Sequence, residues 1–272
     1  MSIKIKAIAH LADIHIRTYR QHDEYKEVFE NLLNELDNTF KSLEYGEARI
    51  VIVGDLFHQK ITVSNEQIIL GSWFLNALAE VQPVVLVAGN HDLLENNKGR
   101  LDSITPIISL INNPNIEYYK ESKCYVDSNI VWANFSIFDN NERPDIEKCK
   151  KTLPDHKYIG LFHAPLIGAK TDIGYEFDHG ESPTHFRGCD YVLLGDIHKH
   201  QEIVEEGIKC VYPSSLIQQN FGESITNHGY LLWDVDSGTY QMREIQNDYL
   251  NVTFKISSLK DIEEGTEKLT NK

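Results

Sequence analysis

The chain has 272 residues, which suits one large α/β domain or one domain with a small appendage. Hydrophobic residues make up 41% and charged residues 25%, so a substantial core is expected and general disorder is excluded. A membrane span is excluded because no apolar run approaches about 20 residues. The net charge of −15 argues against nucleic acid as a direct partner, although carboxylates that hold divalent cations inflate this value and a basic partner subunit would supply a DNA-binding surface.

Five apolar, β-rich runs predict buried strands in the first two hundred residues. They are IKIKAIAH, ARIVIVG, VVLVAG, KYIGLFH and DYVLLG. The first run is too short and too alternating for a signal peptide. The four cysteines form no CxxC pair, so we expect reduced thiols in a cytoplasmic protein.

Helices are predicted between the first three of these strands. The first helix places apolar residues from Val28 to Leu43 at helical spacing and is expected to stop at Gly46. The second is capped by Ser64 and directs Phe74 and Leu78 at a core. Strand–helix–strand alternation of this length implies βαβ units.

Shorter strands dominate from residue 113 onwards and predict a second sheet packed on the first, with SNIVWANFSIF as one of its strands. The segment HGYLLWDVDSGTYQMREI predicts a hairpin with DSG as its turn. The last residues, KISSLKDIEEGTEKLTNK, read as a helical fragment or tail without a stop signal, so a longer parent chain is expected. We therefore divide the chain into a main domain, 1–235, and the start of a truncated C-terminal capping region, 236–272.

Each of the five strands ends in side chains that bind hard or borderline cations. The candidate ligands, in chain order, are Asp13, His15, Asp55, His58, Asn90, His91, Asp92, His163, Asp196, His198 and His200. Ligands gather at the carboxyl ends of strands in α/β sheets, because the loops there share one crevice. Singly, each motif has a plain structural reading as a turn, a helix cap or a core histidine. Five such strand ends together predict one site.

Such a set supports catalysis by two divalent metal ions about 3.5–4 Å apart, joined by a bridging carboxylate. Ligation by Asp, Asn and His without thiolate suits Mn²⁺, Fe²⁺ or Zn²⁺. The glycines before Asp55, Asn90 and Asp196 are expected to let the backbone turn sharply beneath the metals.

The ordered motifs D-x-H, GD-x-x-H, GNHD, H and G-x-x-H resemble those of the calcineurin-like metallophosphoesterase superfamily over about residues 8–200. The resemblance implies a two-sheet α/β sandwich flanked by helices, with a dinuclear site. It implies one metal held by Asp13, His15, Asp55 and His198. It implies a second metal held by Asp55, Asn90, His163 and the residue at 196, with Asp55 bridging. His91 would then face the scissile phosphate and protonate or stabilise the departing oxygen.

Finer features are similar to the SbcD branch, the nucleases of double-strand-break processing, and most to phage recombination endonuclease subunits. These features are HLADIHI, GDLFH and YPSSLIQQNFGE followed by HGYLLWDV. In that branch, His58 is expected near the nucleic-acid phosphates. The fifth motif departs from the family pattern, because Asp196 replaces a histidine; it remains a candidate ligand, or else orients a neighbouring ligand. His200 is a weaker candidate, either a surface residue or a phosphate contact.

The resulting hypothesis is a Mn²⁺-dependent DNA nuclease, exo- or endonucleolytic, in which hydroxide between two metals attacks phosphorus in line and His91 assists the leaving oxygen. Asp92 is expected to orient the loop or a ring, or to cap a helix. The resemblance also implies a homodimer, formed by helices near the second and third motifs, and an SbcC-type SMC-like ATPase partner. Two alternatives stay open. One is another phosphoesterase on the same fold, such as a phosphatase or a cyclic-nucleotide phosphodiesterase; the other is a catalytically weak scaffold subunit at DNA ends.

Overall fold

The computed structural model describes residues 3–139, 142–253 and 256. Its strands are β1 (Ala7–Leu11), β2 (Ala48–Val53), β3 (Val84–Val87), β4 (Ile116–Tyr118), β5 (Lys123–Asp127), β6 (Ile130–Phe135), β7 (Lys157–His163), β8 (Tyr191–Gly195), β9 (Gln201–Glu205), β10 (Ile208–Tyr212), β11 (Gly229–Asp234) and β12 (Thr239–Glu244). Its α-helices are α1 (His22–Phe40), α2 (Asn65–Val81), α3 (Ile104–Ile111) and α4 (Ile146–Thr152), and Glu95–Asn97 and Pro183–Phe186 form short 3₁₀ turns.

The strands form two mixed sheets of six strands each. The first has the order β12-β11-β1-β2-β3-β4, with β1 to β4 parallel and β11 and β12 antiparallel to their neighbours. The second has the order β5-β6-β7-β8-β10-β9, with a parallel centre and antiparallel edges. The predicted α/β sandwich of two sheets is therefore confirmed.

Three apolar layers hold the sandwich together. Helices α1, α2 and α3 cover the outer face of the first sheet, where Phe29 of α1 stacks on Phe74 of α2 at 3.8 Å between ring centroids. Between the sheets, Trp233 stacks on Tyr191 at 4.7 Å. Helix α4 and the turn at Pro183–Phe186 cover the outer face of the second sheet, and the four free cysteines lie in or against this outer layer.

The helix predictions hold with one correction. Ser64 caps α2 as predicted: its hydroxyl accepts from Gln67 N at 3.2 Å, and the Gln67 side chain accepts from Ser64 N at 2.9 Å. Helix α1 was expected to stop at Gly46, and this was wrong, because it ends at Phe40. Leu43 belongs to the following turn, where its N–H donates to Phe40 O, although it still packs on the same apolar layer.

The sandwich brings the carboxyl ends of its central parallel strands to one edge. Three of the five predicted strands, β1, β2 and β3, lie in the first sheet, and two, β7 and β8, lie in the second. Two histidines hold the sheets together there: His163 Nδ1 is 2.7 Å from Val53 O, and His10 Nε2 is 2.9 Å from Leu194 O. The shared crevice therefore lies between two sheets.

The C-terminal hairpin is confirmed, since β11 and β12 pair in register from Gly229↔Glu244 to Asp234↔Thr239. The proposed division at residue 235 falls in its turn, and residues 239–244 extend the first sheet. The tail predicted at KISSLKDIEEGTEKLTNK lies, except for Ile256, outside the described residues. In the part of the chain that the structure describes, no helix combines the length and apolar composition needed to span a bilayer.

Candidate metal centre

Donors from separate strand ends meet in three overlapping groups of the described residues. The groups are Asp13, His15 and His198; Asp13, Asp55 and His163; and His15, His58 and His91, with the ligand atoms of each group within 4.8 Å of one another. Asn90 and Asp196 adjoin the second group, since Asp196 Oδ1 lies 3.8 Å from His163 Nε2 and 3.2 Å from Asn90 Nδ2. The structure thus brings together all seven predicted metal ligands.

The Asp55 carboxylate lies between the two predicted donor sets. Its Oδ2 is 3.4 Å from His15 Nε2, and its Oδ1 is 3.3 Å from His163 Nε2. On the His15 side, His198 Nε2 is 3.1 Å from His15 Nε2 and 3.7 Å from Asp13 Oδ1. Each oxygen of one carboxylate therefore faces a different set, which is the arrangement that a bridging ligand requires.

Two buried atoms in the second set have no hydrogen-bond partner among the described residues: His163 Nε2 and Asn90 Oδ1. The His163 ring can donate from Nδ1 to Val53 O, which leaves Nε2 with a free lone pair facing Asp55. Buried polar atoms are normally satisfied. Two unsatisfied atoms of the right type, aimed at one space beside carboxylates, fit a divalent cation held by Asp55, His163 and Asn90.

Backbone strain occurs at four of the same residues. Asp13, His15, Asp55 and Asp196 all have φ in the left-handed region, between 52° and 94°. Non-glycine residues adopt this conformation at a cost and typically where function requires it. The Asp196 N–H donates to both oxygens of Asp13 at 3.1 Å, so the strained turn of the fifth motif also orients a carboxylate of the first.

The glycines of the second, third and fifth motifs make room for His163 and Asp55. A Cβ at Gly89 would lie 2.1 Å from Asp55 Oδ1 and 2.6 Å from His163 Nε2, and one at Gly195 would lie 2.5 Å from His163 Nδ1. Only Gly54 of these three also has a left-handed φ, at +83°. The expected reason, a sharp turn, thus holds for Gly54, whereas Gly89 and Gly195 are required by close approach.

Burial sets the charge of the cluster. It raises the pKa of Asp13 to about 7 and also raises the pKa of Asp196. Burial alone would raise the pKa of Asp55, but His163 and His15 lower it below its usual range. Burial likewise opposes charging of His163, yet Asp55 and the other carboxylates raise its pKa well above its usual value. In the absence of cations, protons on these side chains therefore offset the negative charge of the carboxylates. Bound cations would replace those protons.

The third group lies on the side of the centre where His15, His58 and His91 meet. The ring centroids of His15 and His91 are 4.9 Å apart, and those of His58 and His91 are 5.2 Å apart. His91 is fixed by its own N–H, which donates to Asp55 Oδ1 at 2.8 Å, and by Nδ1, which lies 2.6 Å from His58 O. Both predicted phosphate-contacting residues therefore border the cluster.

Asp92 and His200 lie outside the three donor groups. The fully buried Asp92 carboxylate accepts from the backbone N–H groups of Leu56, Phe57 and Gly89, so it joins the second and third motifs and positions their loops. This is the loop-orienting role considered for it. His200 Nδ1 is 2.8 Å from Tyr212 O, and His200 belongs to none of the three groups.

Glu223 is a site residue to which the sequence analysis gave no role. Its Oε1 lies 2.8 Å from His198 Nδ1, and its Oε2 accepts from Gln219 N at 2.8 Å and from Ser215 Oγ at 3.2 Å. Burial lowers the pKa of His198, but the bond to Glu223 and the charge of Asp13 outweigh it and raise that pKa to about 9. The sequence did contain a signal, because Glu223 is the last residue of the FGE motif. That motif contributed only to the resemblance to the SbcD branch.

Residues 6–200 match the family model described as calcineurin-like phosphoesterase, and the chain belongs to this family. With the Asp and His cluster, this membership indicates a candidate dinuclear metal centre of the calcineurin-like phosphoesterase type. Among curated proteins, the chain is similar to "Uncharacterized protein R555" of Acanthamoeba polyphaga mimivirus, at 39% identity over 260 residues. The match covers 93% of this chain and 19% of that protein, so the chain spans about a fifth of the length of this relative.

Comparison with solved structures finds similarities at low sequence identity. The protein TT1561 of Thermus thermophilus superposes with a TM-score of 0.55 at 13% identity, covering 89% of this chain and 100% of that one. The phosphopantetheinyl hydrolase PptH of Mycobacterium tuberculosis gives a TM-score of 0.46 at 12% identity, with coverage of 79% and 90%. The protein PH1004 of Pyrococcus horikoshii also gives 0.46, at 13% identity, with coverage of 97% and 94%.

The contact between Glu223 and His198 generates a test of the metal centre. Glu223→Ala should weaken Mn²⁺ binding by about 10- to 100-fold, because a metal-binding histidine loses the partner that fixes its ring. Isothermal titration calorimetry on the folded variant measures this directly. Glu205→Ala, which removes an exposed carboxylate from β9, is the matched control and should bind Mn²⁺ as the unmodified protein does. Unchanged affinity in Glu223→Ala would contradict the assigned role.

Proposed function

We propose that this phosphoesterase is a DNA nuclease of the SbcD type, which hydrolyses phosphodiester bonds at DNA ends in double-strand-break processing and recombination. The observation that carries the proposal is the position of the segment from Tyr212 to Glu223. This segment resembles the SbcD branch in sequence, lies beyond the residues matched by the family model, and contacts the metal centre through Glu223. A segment that resembles this branch in sequence thereby contributes a residue to the site.

The chain's own residues supply the remaining chemistry. When bound, two divalent cations, for which we propose Mn²⁺, polarise a phosphoryl oxygen and activate water. Asp55 faces both donor sets and fixes their separation. His91 is held by Asp55 and by His58 O, so its ring is positioned to protonate the leaving oxygen. His58, beside both His15 and His91, is positioned to contact a substrate phosphate.

A second candidate function, hydrolysis of a small phosphodiester, is favoured by two observations. The net charge of −15 disfavours binding of a polyanion without cations or a basic partner. In addition, a cleft of about 640 Å³ adjoins Asn90, His163 and Asp196, which is large enough for a small ligand. A protein phosphatase is disfavoured, because this chain has GDLFHQK where those enzymes typically have GDxxDRG. The assembled donors disfavour a scaffold with a decayed site.

Activity on two substrates separates these candidates. We expect Mn²⁺-dependent cleavage of end-labelled linear DNA that exceeds, in kcat/KM, hydrolysis of bis(p-nitrophenyl) phosphate. His91→Ala should lower the rate of DNA cleavage by about 10²- to 10⁴-fold, because it removes the proposed proton donor. Asp55→Ala should abolish cleavage, because it removes the carboxylate that both donor sets share. Parallel assays with Mg²⁺, on duplex and single-stranded DNA, define the preferred metal and substrate.

Matched controls exist for both variants. Asp155→Ala and His179→Ala remove the same side-chain types from exposed positions and should keep the activity of the unmodified protein. Circular dichroism establishes that all four variants fold. Full DNA cleavage by folded Asp55→Ala or His91→Ala would refute the site, whereas robust hydrolysis of the chromogenic diester without any DNA cleavage would favour the small-substrate function.

We also propose that the protein forms a homodimer and binds an SMC-like ATPase. Helices α2 and α3 pack on each other and leave Ile69 and Leu110 exposed, at 71% and 76%. Most other apolar residues of these helices, including Phe74 and Ile107, are in the core, which leaves few for an interface.

Substitution of charge into this face tests the dimer. Sedimentation equilibrium should give twice the chain mass for the unmodified protein and the chain mass for Ile69→Glu with Leu110→Glu, since burying a carboxylate at an apolar interface is unfavourable. Val126→Glu, at an exposed position of β5, is the control and should remain dimeric. A monomeric unmodified protein would contradict the proposal.

A further inference from the structure

Arg17 lies at the rim of the metal centre, beside His58, and is not one of the predicted metal ligands. It follows the last residue of the first motif, His15, by two positions. One guanidinium nitrogen, Nη1, is 3.2 Å from His58 Nε2. The other, Nη2, donates to Gln219 O at 2.9 Å and to Gln219 Oε1 at 3.3 Å. The guanidinium is therefore fixed between the second motif and the segment that carries Glu223.

The charge of Arg17 is not balanced by a paired carboxylate. Within residues 3–139, 142–253 and 256, no carboxylate oxygen forms an ion pair with it at 4.0 Å or less, whereas Arg49 pairs with Asp127 at 2.6 Å. A half-buried guanidinium that contacts His58 and Gln219 without forming an ion pair retains its capacity to bind an anion.

The backbone around Arg17 is fixed before any ligand arrives. Ile16 O accepts from Gln67 Nε2 at 2.6 Å and from His58 N at 3.1 Å. Arg17 O lies 2.6 Å from His22 Nε2, and Thr18 O accepts from the Ser64 hydroxyl. Since α1, α2 and the second motif all hold this segment, little conformational entropy remains to be lost when the guanidinium binds a ligand.

Cation binding would change the contact between Arg17 and His58. His15 Nε2 is the nitrogen that faces Asp55, so with a cation there the ring proton of His15 lies on Nδ1, 3.3 Å from His58 Nδ1. His58 then accepts at Nδ1 and carries its own proton on Nε2, opposite an N–H of Arg17. Two donors face each other across 3.2 Å, and an anionic oxygen that accepts from both satisfies them.

We propose that Arg17 is a substrate-binding residue whose guanidinium, together with His58 Nε2, binds the phosphate next to the scissile phosphate of a nucleic-acid strand. The neighbouring phosphate is the one within reach, because the His58 ring lies between Arg17 and His15. This inference rests on the proposed nuclease function, since a small diester has no second phosphate.

Steady-state kinetics on linear DNA test the inference. Arg17→Ala should raise KM by about tenfold with a smaller change in kcat, since it removes a charge-assisted contact to substrate and no reacting group. The slope of log KM against log salt concentration should fall by about 0.9 for duplex DNA or about 0.7 for single strands, which is one phosphate contact. On bis(p-nitrophenyl) phosphate, which carries one phosphate, the loss in kcat/KM should be about tenfold smaller than on DNA.

Two further variants make the test specific. Arg20→Ala removes the same charge from an exposed position three residues away and should leave KM and the salt slope as they are. Arg17→Lys keeps the charge without the planar fork and should give an intermediate KM, which also serves if Arg17→Ala does not fold.

The outcomes separate this inference from the function on which it rests. If the unmodified protein cleaves DNA and folded Arg17→Ala retains its KM and salt slope, the inference is overturned and the nuclease function stands. If Arg17→Ala does not fold, an unchanged KM in folded Arg17→Lys has the same meaning. Equal losses on DNA and on the chromogenic diester would also overturn it, because a merely structural defect acts on both substrates. A protein that hydrolyses the diester and does not cleave DNA would overturn both.

Discussion

Negative charge buried at the junction of two sheets is the constraint on which the rest of this structure depends. Asp13 and Asp55 are at most 2% exposed, and they lie beside Asp196 in a space that contains no lysine or arginine within ion-pair distance of them in the described ranges. A buried carboxylate is costly unless a cation or proton balances it. In the same space, the buried atoms His163 Nε2 and Asn90 Oδ1 have no hydrogen-bond partner among the described residues. Divalent cations between the donor sets would satisfy both requirements.

The architecture explains how the chain sustains this arrangement. Parallel strands deliver five loops to one edge, and the cross-sheet bond between His163 and Val53 O fixes the distance between the two sheets there. The strained φ angles at the aspartates and the close approaches at Gly89 and Gly195 are tolerated because large apolar layers lie directly behind them. The segment after β10 then closes the site, since Gln219 holds Arg17 and Glu223 holds His198.

Much of this organisation could be predicted from the sequence, because it depends on local pattern. Apolar runs located the strands, helical spacing located α1 and α2, and the donors at strand ends located the site. The prediction failed where the cause is tertiary. The predicted end of α1 at Gly46 was wrong, because the helix already ends at Phe40. The hydrophobic periodicity also did not indicate which of the five strands belongs to which sheet. Contacts such as Glu223 with His198 and Arg17 with Gln219 join residues far apart in the chain, and no local sequence pattern predicts them. The motifs also predicted a sharp turn at Gly54, Gly89 and Gly195. Gly89 and Gly195 are required for a different reason, because side chains from other strands approach them closely.

The central claim is that donors from these strand ends enclose two cations around Asp55. Anomalous diffraction from crystals grown with Mn²⁺ tests it most directly. The account predicts two anomalous peaks about 3.5–4 Å apart, one between Asp55 and His15 with His198, the other between Asp55 and His163 with Asn90. Well-ordered crystals at saturating Mn²⁺ that show no peak at Asp55, or a single peak bound without it, would contradict the account.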